Sequence, residues 1–266
     1  MEPLWGTRRQ VRTPGPSPPP VLQLATAMTD EPRRVRTDGL ILAAGSGDRF
    51  GGTTPKAFVP LGGEAMLVRA ARAAAAAGIE DLVVVVPAAM VEQAVALLGA
   101  AAGGGLAGAR VVPGGASRVE SCRLGLAALE GADEDVVVVH DAARPLATAE
   151  TFRRVVGAVA SGADAATATI PSADTVAFVA DGKVVEVPPR ERVVRVQTPQ
   201  AFRREILRRA HAAAAAAGDT SATDDCGLVL AYLPGARVAA VPGDDANVKV
   251  TTAADLRIAD ELARGN

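Results

Sequence analysis

Residues 40–58 read LILAAGSGDRFGGTTPKAF, and the interpretation of the whole chain starts from this stretch. Its three leading apolar residues suit a buried strand, and the small residues after them suit a tight loop. Such a loop lets the backbone approach a ligand closely, and its consecutive N–H groups form a concave anion site. Arg49 and Lys56 follow on the same stretch, which favours a ligand the size of a triphosphate over a single carboxylate. The competing interpretation is an ordinary glycine-rich turn with solvated charges.

Composition bounds the class of protein. With 266 residues, 49% of them hydrophobic and 22% charged, the chain is long enough for one generous globular domain. Aromatic residues make up only 3%, so the core has to be built from Ala, Val, Leu and Ile. The net charge of −2 gives no electrostatic argument for nucleic acid, and no apolar run approaches the length of a membrane span. We therefore expect neither nucleic acid nor membrane as a partner.

The two cysteines, Cys122 and Cys226, follow no metal-binding spacing and indicate no disulfide framework. A reduced, cytoplasmic protein is the simpler interpretation. Residues 1–36 differ from the rest, because they are rich in Pro and Arg and show neither helical nor strand periodicity. This composition predicts a disordered leader, or a translation start placed too far upstream with Met28 as the real beginning. The domain then spans residues 37–266.

From residue 37 onward, strand and helix patterns alternate. Strands are predicted at 40–42, 82–86, 109–112, 136–139, 165–170 and 237–241. Helices are predicted at 66–77, 90–98, 118–129, 149–160, 203–217, 227–233 and 253–262. Continuous β-branched runs separated by amphipathic helices are typical of an α/β fold with a mostly parallel sheet covered on both faces, which is a three-layer Rossmann-like arrangement. The loops that follow the strands should then meet along one edge of the sheet.

The pattern changes between residues 171 and 197. Two valine-rich runs, 176–179 and 184–187, flank Asp181-Gly182, which is a strong signal for a two-residue hairpin turn. A hairpin inserted into a doubly wound sheet serves either as an arm for a partner subunit or as a flap over the site.

Polar motifs fall at the predicted strand ends. Residues 112–122 read VPGGASRVESC, in which two glycines permit close backbone approach and Ser117 can cap a helix. Asp141 directly follows the strand at 136–139, where a carboxylate is costly unless it is neutralised. A hard divalent cation such as Mg²⁺, held together with a nucleotide, would neutralise it, and so would an ion pair between Asp141 and Arg144.

Four other polar features have simpler interpretations. We expect His140 to be packed in the core and His211 to be solvated on its alanine-rich helix. Residues 197–200 (QTPQ) and 223–225 (TDD) are each predicted to begin a helix. Lys249 is predicted to lie on a strand between two valines.

Taken together, these motifs carry a family resemblance. AAGSGDRFG with PKAF, GGASRVES, HDAARP, Asp174-Thr175, QTPQAF, TDD and NVKVT occur in this order and at compatible spacing. The set resembles the 2-C-methyl-D-erythritol 4-phosphate cytidylyltransferases of the non-mevalonate isoprenoid pathway, over roughly residues 37–262. The resemblance implies a nucleotidyltransferase fold, a homodimer joined through β-arms, and transfer of CMP from CTP to methylerythritol phosphate with Mg²⁺.

The resemblance also implies roles for individual residues. Nucleotide contacts would come from Ala43, Ala44, Gly45, Gly47, Gly115, Ala116, Ser121, Asp141 and Ala142, with Asp141 also at the metal. Charge stabilisation during catalysis would come from Arg49, Lys56, Arg190 and Lys249. The methylerythritol phosphate would be held by Arg144, Thr175, Arg190, Thr198, Thr223 and Lys249. Since Arg190 lies on the predicted arm, the resemblance implies that it reaches the neighbouring subunit's site.

Some positions depart from the family pattern and leave alternatives open. Cys122 replaces a more usual aliphatic residue, and Arg192 competes with Arg190 as the arm arginine. A ribitol 5-phosphate cytidylyltransferase would share the fold and the cations; residues 43–45 (AAG) and the pair Ala142-Ala143 favour the methylerythritol type. A catalytically inactive nucleotide-binding protein on the same scaffold is a third alternative, since fold alone does not fix function.

Overall fold

The computed structural model describes residues 36–45, 54–101, 103, 105–133 and 135–265. The helices are α1 (Met66–Ala76), α2 (Val91–Ala100), α3 (Arg118–Ala128), α4 (Ala149–Ala160), α5 (Arg204–Ala216), α6 (Asp225–Tyr232) and α7 (Ala253–Arg264). The strands are β1 (Thr37–Leu42), β2 (Pro60–Leu61), β3 (Glu64–Ala65), β4 (Asp81–Val86), β5 (Arg110–Pro113), β6 (Val136–Asp141), β7 (Ala165–Pro171), β8 (Phe178–Ala180), β9 (Lys183–Glu186), β10 (Val194–Arg203) and β11 (Val238–Pro242).

Seven strands form the central sheet, in the order β11-β7-β10-β6-β1-β4-β5. Every neighbouring pair is parallel except the two that involve β10, which runs antiparallel to both β6 and β7. The predicted mostly parallel α/β sheet is therefore confirmed. Because β1, β4, β5 and β6 run in the same direction, their carboxyl ends and the loops after them meet at one edge.

Alternation along the strands divides the core into two layers. Ile41 and Val84 belong to the apolar cluster that includes residues of α1, α2 and α4. Leu40 and Val85 belong to the opposite cluster, which includes residues of α3, α5 and α6. Most members of both clusters are Ala, Val or Leu, as the low aromatic content predicts. Helices therefore cover the sheet on both faces, which is the three-layer arrangement expected from the sequence.

One strand of the sheet was not predicted. QTPQ, which we expected to begin a helix, lies inside β10. The expectation of a helix start is wrong: QTPQ continues the strand, and the register of β10 against β7 shifts between Gln197 and Gln200. Residues 198 and 199 sit in that irregularity, and such a position tolerates a proline that cannot donate to the ladder. The other predicted helix start, TDD, is confirmed: Asp224 caps α6 by accepting from Gly227 N.

The prediction of a strand around Lys249 was also wrong. Residues 247–250 have no ladder partner in the sheet. Their backbone instead bonds to loops, since Val250 N donates to Ala143 O at 2.8 Å and Asn247 O accepts from the Arg144 guanidinium at 2.8 Å. Alternating valines fit both a strand paired in a sheet and an unpaired extended segment. Which of the two forms depends on the neighbouring loops.

The hairpin is confirmed; its first strand is one residue shorter than the predicted run 176–179, and its second begins one residue before the predicted run 184–187. β8 and β9 form a separate antiparallel pair joined by Asp181 (φ 49°) and Gly182 (φ 73°). Both turn residues have positive φ, as the tightest hairpin turns require. The predicted leader lies outside the described residues except for Arg36, whose Nε donates to Asp38. Among the residues that the structure describes, no helix is long and apolar enough to cross a membrane.

The close packing of α3 on the sheet generates the first prediction. A Cβ at Gly125 would lie 2.7 Å from Val85 Cγ2 and 3.2 Å from Leu40 Cδ2, in the core. We expect Gly125→Ala to lower the free energy of unfolding by about 1–3 kcal/mol, because overpacking outweighs the gain in helix propensity. Denaturant unfolding would measure the change.

The matched control is Gly157→Ala in α4, where the added Cβ meets no atom within 4 Å and the residue is exposed. At this position only the higher helix propensity of alanine acts, and we expect the free energy of unfolding to rise by about 0.5–1 kcal/mol. Equal effects of the two substitutions would contradict the proposed close packing.

Candidate nucleotide site

A pocket of about 440 Å³ opens at the edge where the parallel strands end. Of the predicted site residues, those that line it are Ala43, Ala44, Gly45, Lys56, Gly115, Ala116, Ser121, Asp141 and Lys249. Ala142 is buried beside it and donates its N–H to Leu42 O at 3.0 Å. Gly47 and Arg49 lie outside the described residues. The fold therefore brings four distant sequence motifs to one concave site.

The loop after β1 is held against the sheet. Ala43 N donates to Val85 O at 2.7 Å, so the chain continues close to β4 before it turns away. The loop after β5 packs against it: a Cβ at Gly114 would lie only 2.5 Å from Ala44 Cβ. Glycine is needed at this position because the two loops touch.

Helix α3 supports the second loop from below. Ser117 caps the helix by accepting from Glu120 N at 3.0 Å, as predicted. Ser121 Oγ accepts from Gly115 N at 3.1 Å, and Glu120 Oε2 accepts from Ala116 N at 2.8 Å. The backbone of this loop is therefore fixed by two side chains of the first helical turn, which makes it a firm wall of the pocket.

Asp141 is buried at the end of β6 and lies between two cations. Lys249 Nζ donates to Oδ2 at 2.7 Å, and the Arg118 guanidinium donates to Oδ1 at 3.1 Å. Burial alone would raise the pKa of Asp141, but the charges of Arg118 and Lys249 hold it well below its usual range. Asp141 is therefore neutralised by Arg118 and Lys249. It does not form the ion pair with Arg144 that one of the two interpretations of the sequence predicted.

The described lining of the pocket is electropositive. It contains three cations, Lys56, Arg118 and Lys249, against the single carboxylate of Asp141, which leaves a net of two positive charges. The chain has only three lysines, and two of them line this pocket. Such a surplus of fixed positive charge suits a polyphosphate.

Among the described residues, the pocket offers few oxygen ligands for a divalent cation. Asp141 is the one carboxylate that lines the pocket among the described residues, and both of its oxygens already accept from cations. Mg²⁺ is usually bound by one or two carboxylates together with substrate phosphates and water. The residues present therefore fit a cation that Asp141 anchors and that the phosphates of the ligand mainly hold.

Apart from Lys249, the residues predicted to bind the second substrate lie outside this lining. Thr198 is buried behind Asp141, where its Oγ1 accepts from Asp141 N at 3.0 Å and lies 3.1 Å from His140 Nδ1. Arg144 donates to Asn247 O, and Thr223 is exposed just before α6.

Two further residues of that set lie on the arm. Thr175 and Arg190 line a separate depression of about 230 Å³, together with Asp174, Val187 and Pro188. Within one chain, the structure therefore does not bring the arm residues to the nucleotide pocket.

His140 is confirmed as a core residue. It is buried, its ring centroid lies 4.9 Å from that of Phe152, and burial lowers its pKa to about 4. His211, in contrast, was predicted to be solvated, which is wrong: it is buried and its Nε2 lies 2.9 Å from Asp225 Oδ1. Helical spacing gave the signal, because His211 shares the buried face of α5 with Leu207 and Ala214.

Arg118 was not assigned to the site from the sequence, although it lines the pocket and binds Asp141. The signal was again helical spacing. Arg118, Ser121 and Gly125 lie on one face of α3, and that face packs on the sheet. A cation at the start of that face has to emerge at the strand ends.

The sheet is doubly wound, and a cationic pocket lies between close loops at its strand ends. This arrangement is typical of the Rossmann-like class of nucleotide-binding proteins. Comparison with known proteins is more specific. The model of the 2-C-methyl-D-erythritol 4-phosphate cytidylyltransferase family matches residues 38–264. A protein of that name from Thermobifida fusca is 41% identical over 243 residues, which cover 88% of this chain and 97% of the relative.

Solved structures agree. The cytidylyltransferase of the same name from Thermus thermophilus superposes with a TM-score of 0.66 at 35% identity, over 87% of this chain and 100% of that one. The 4-diphosphocytidyl-2C-methyl-D-erythritol synthase from Anaerococcus prevotii gives a TM-score of 0.74 at 27% identity, over 86% and 98%. The chain belongs to the 2-C-methyl-D-erythritol 4-phosphate cytidylyltransferase family and is a nucleotidyltransferase.

Proposed function

We propose that this enzyme transfers CMP from CTP to 2-C-methyl-D-erythritol 4-phosphate, giving 4-diphosphocytidyl-2-C-methyl-D-erythritol and pyrophosphate for isoprenoid synthesis. The observation that carries the proposal is the cationic pocket at the strand ends in a chain of this family. The alternative acceptor, ribitol 5-phosphate, is not favoured, because the family and the relatives cited carry the methylerythritol name.

The reaction needs no covalent intermediate. A phosphate oxygen of the acceptor attacks the α-phosphorus of CTP in line, and the bond to the β-phosphate breaks with its electrons leaving on pyrophosphate. The protein then acts by positioning the two anions and by stabilising charge that builds up during transfer. Fixed cations lining a concave pocket suit both tasks.

Lys56 and Lys249 are proposed to stabilise this charge from two sides of the pocket. Arg49, outside the described residues, would join Lys56 from the same loop. Lys249 donates to Asp141 at 2.7 Å, and this contact holds its ammonium at the wall of the pocket. Preorganised cations avoid the cost of reorientation during the reaction.

The loop at Gly115 and Ala116 is proposed to read the base, with Ser121 fixing its backbone. Because two side chains hold this loop, it cannot easily retreat from a larger base. Cytosine would be selected over purines by size, and its amino group would meet backbone acceptors.

Mg²⁺ is proposed to bind beside Asp141, where it would offset the charge of the triphosphate and polarise its α-phosphate. Asp141 would hold the cation, while Arg118 and Lys249 keep the carboxylate ionised and oriented. The acceptor is proposed to be held by Arg144, Thr175, Arg190, Thr198, Thr223 and Lys249.

We also propose that two copies of the chain form a homodimer through the β8–β9 arm. Phe178, Val179, Val184 and Val185 on the arm are each more than half exposed, and such a patch calls for a covering surface. Exchange of arms would bring Arg190 and Thr175 of one copy toward the pocket of the other. The free, buried cysteines fit the cytoplasm, where we place the enzyme.

The first test is pyrophosphate release by the full-length protein with CTP and Mg²⁺. We expect release with methylerythritol 4-phosphate, little with ribitol 5-phosphate, and none when ATP replaces CTP. Preference for ribitol 5-phosphate would contradict the proposed acceptor. No release with either acceptor would support an inactive nucleotide-binding scaffold.

The role of Lys56 predicts that Lys56→Met lowers kcat by about 10²–10³-fold, because one fixed charge is lost from the transition state. CTP binding, followed by calorimetry, should weaken far less. Arg208→Met serves as control, since Arg208 is exposed and pairs with Asp133 at the surface. Near-normal turnover of Lys56→Met would refute the role.

The arm proposal predicts that the native protein sediments as a dimer at about twice its 26.9 kDa. Val179→Asp combined with Val184→Asp should give monomers, because these paired valines are each 64% exposed on the arm. Val95→Asp on α2, at an equally apolar but distant exposed site, should remain dimeric. A monomeric native protein at working concentration would rule out the dimer.

A further inference from the structure

A chain of charged side chains leads from the nucleotide pocket into the core. Arg118 connects the two ends of this chain: its Nη2 donates to Asp141 Oδ1 at 3.1 Å and its Nη1 donates to Asp225 Oδ2 at 2.8 Å. The other oxygen of Asp225 lies 2.9 Å from His211 Nε2. Arg118 lines the pocket, whereas Asp225 and His211 are almost completely buried behind it.

Asp225 and His211, the inner pair of this chain of side chains, have surroundings that decide which atom carries the shared proton. Burial would raise the pKa of Asp225, but the charge of Arg118 and the hydrogen bond from His211 keep it below its usual value. An ionised carboxylate can only accept, so His211 Nε2 carries the proton and donates it. His211 Nδ1 is buried and has no hydrogen-bond partner among the described residues. Among the described residues, the imidazole of His211 therefore forms its one hydrogen bond with Asp225.

A metal site is the other use that these residues could have. Ligand atoms of Cys122, His211 and Asp225 lie within 4.8 Å of one another in the core. Both oxygens of Asp225, however, are engaged by hydrogen bonds from Arg118 and His211. A dication there would also lie beside the Arg118 guanidinium, and in the core, unlike beside Asp141, it would have no substrate phosphates to offset that charge and complete its coordination. The contacts favour a hydrogen-bonded support over a metal centre.

We propose that His211 and Asp225 are positioning residues for nucleotide binding, acting through Arg118. His211 fixes the Asp225 carboxylate, Asp225 fixes one side of the Arg118 fork, and the other side of the fork orients Asp141 in the pocket. A guanidinium can bridge two carboxylates in a fixed geometry, which an ammonium cannot. This inference rests on the proposed function, because it assigns these residues to the CTP pocket of that reaction.

The proposal predicts a specific pattern of kinetic change. Without the N–H of His211, the Asp225 carboxylate loses the hydrogen bond to one of its two oxygens, and the orientation of Arg118 and Asp141 becomes less well defined. CTP binding should then suffer more than the chemical step. A residue that served only stability would lower the melting temperature and leave the KM for CTP unchanged.

The test compares His211→Leu with His211→Gln in the full-length protein. Leucine fills similar volume without a donor, whereas the glutamine amide keeps an N–H at similar reach. We expect His211→Leu to raise the KM for CTP at least fivefold with a smaller fall in kcat, and His211→Gln to stay within twofold of the native KM. Arg209→Leu, an exposed position on the same helix, is the matched control and should leave KM unchanged.

Two outcomes would overturn the proposal: an unchanged KM in His211→Leu, or an equal change in His211→Leu and His211→Gln. If His211→Leu does not fold, Arg118→Lys replaces it. Lysine keeps the charge but lacks the rigid planar fork that holds Asp141 and Asp225 in one geometry, and an unchanged KM there would equally overturn the proposal. Calorimetric titration with CTP and Mg²⁺ runs in parallel. If the native protein binds CTP but releases no pyrophosphate, the proposed reaction fails, while CTP affinity in the variants still decides on the positioning role.

Discussion

A buried carboxylate at the end of β6 has to be neutralised, and the site is built around that requirement. Asp141 is 7% exposed, and Arg118 and Lys249 supply the opposing charge. A buried charge left without any partner costs about 3–5 kcal/mol, and here two cations share the task of compensating it. The folded state therefore favours the arrangement in which α3, β6 and the segment around Lys249 meet, although these three lie far apart in sequence.

The same arrangement explains why the pocket is ready for an anion. Two of its three described cations are held in place by one carboxylate, so the site keeps a positive surplus without having to collect mobile side chains when the ligand arrives. Thr198 adds a neutral restraint by accepting from the backbone N–H of Asp141. Stability and function thus draw on the same contacts. A substitution that weakens the Asp141 group would be expected to affect both.

Sequence patterns predicted most of the scaffold because burial here follows simple periodicities. Valine runs identify β4 and β6, and the apolar stripe of α4 matches its predicted bounds, 149–160. β10 was missed because the irregularity that accommodates Pro199 depends on its partner strands and is invisible locally. The motif residues at strand ends were predicted to converge, and most do. The contacts of Arg118, Asp225 and His211 were not predicted, because they depend on which helix faces meet the sheet.

That helix face links the small-residue composition to the chemistry. Gly125 lets α3 lie almost against Val85 and Leu40, with no room for even one methyl group. One and two turns earlier on the same face, Ser121 and Arg118 are thereby placed level with the strand ends, within reach of Gly115 and Asp141. A bulkier core would lift the helix from the sheet and withdraw both side chains from the pocket. The alanine- and valine-rich core is therefore more than a way to fill space with few aromatics: it sets the height at which the guanidinium of Arg118 reaches the pocket at the strand ends.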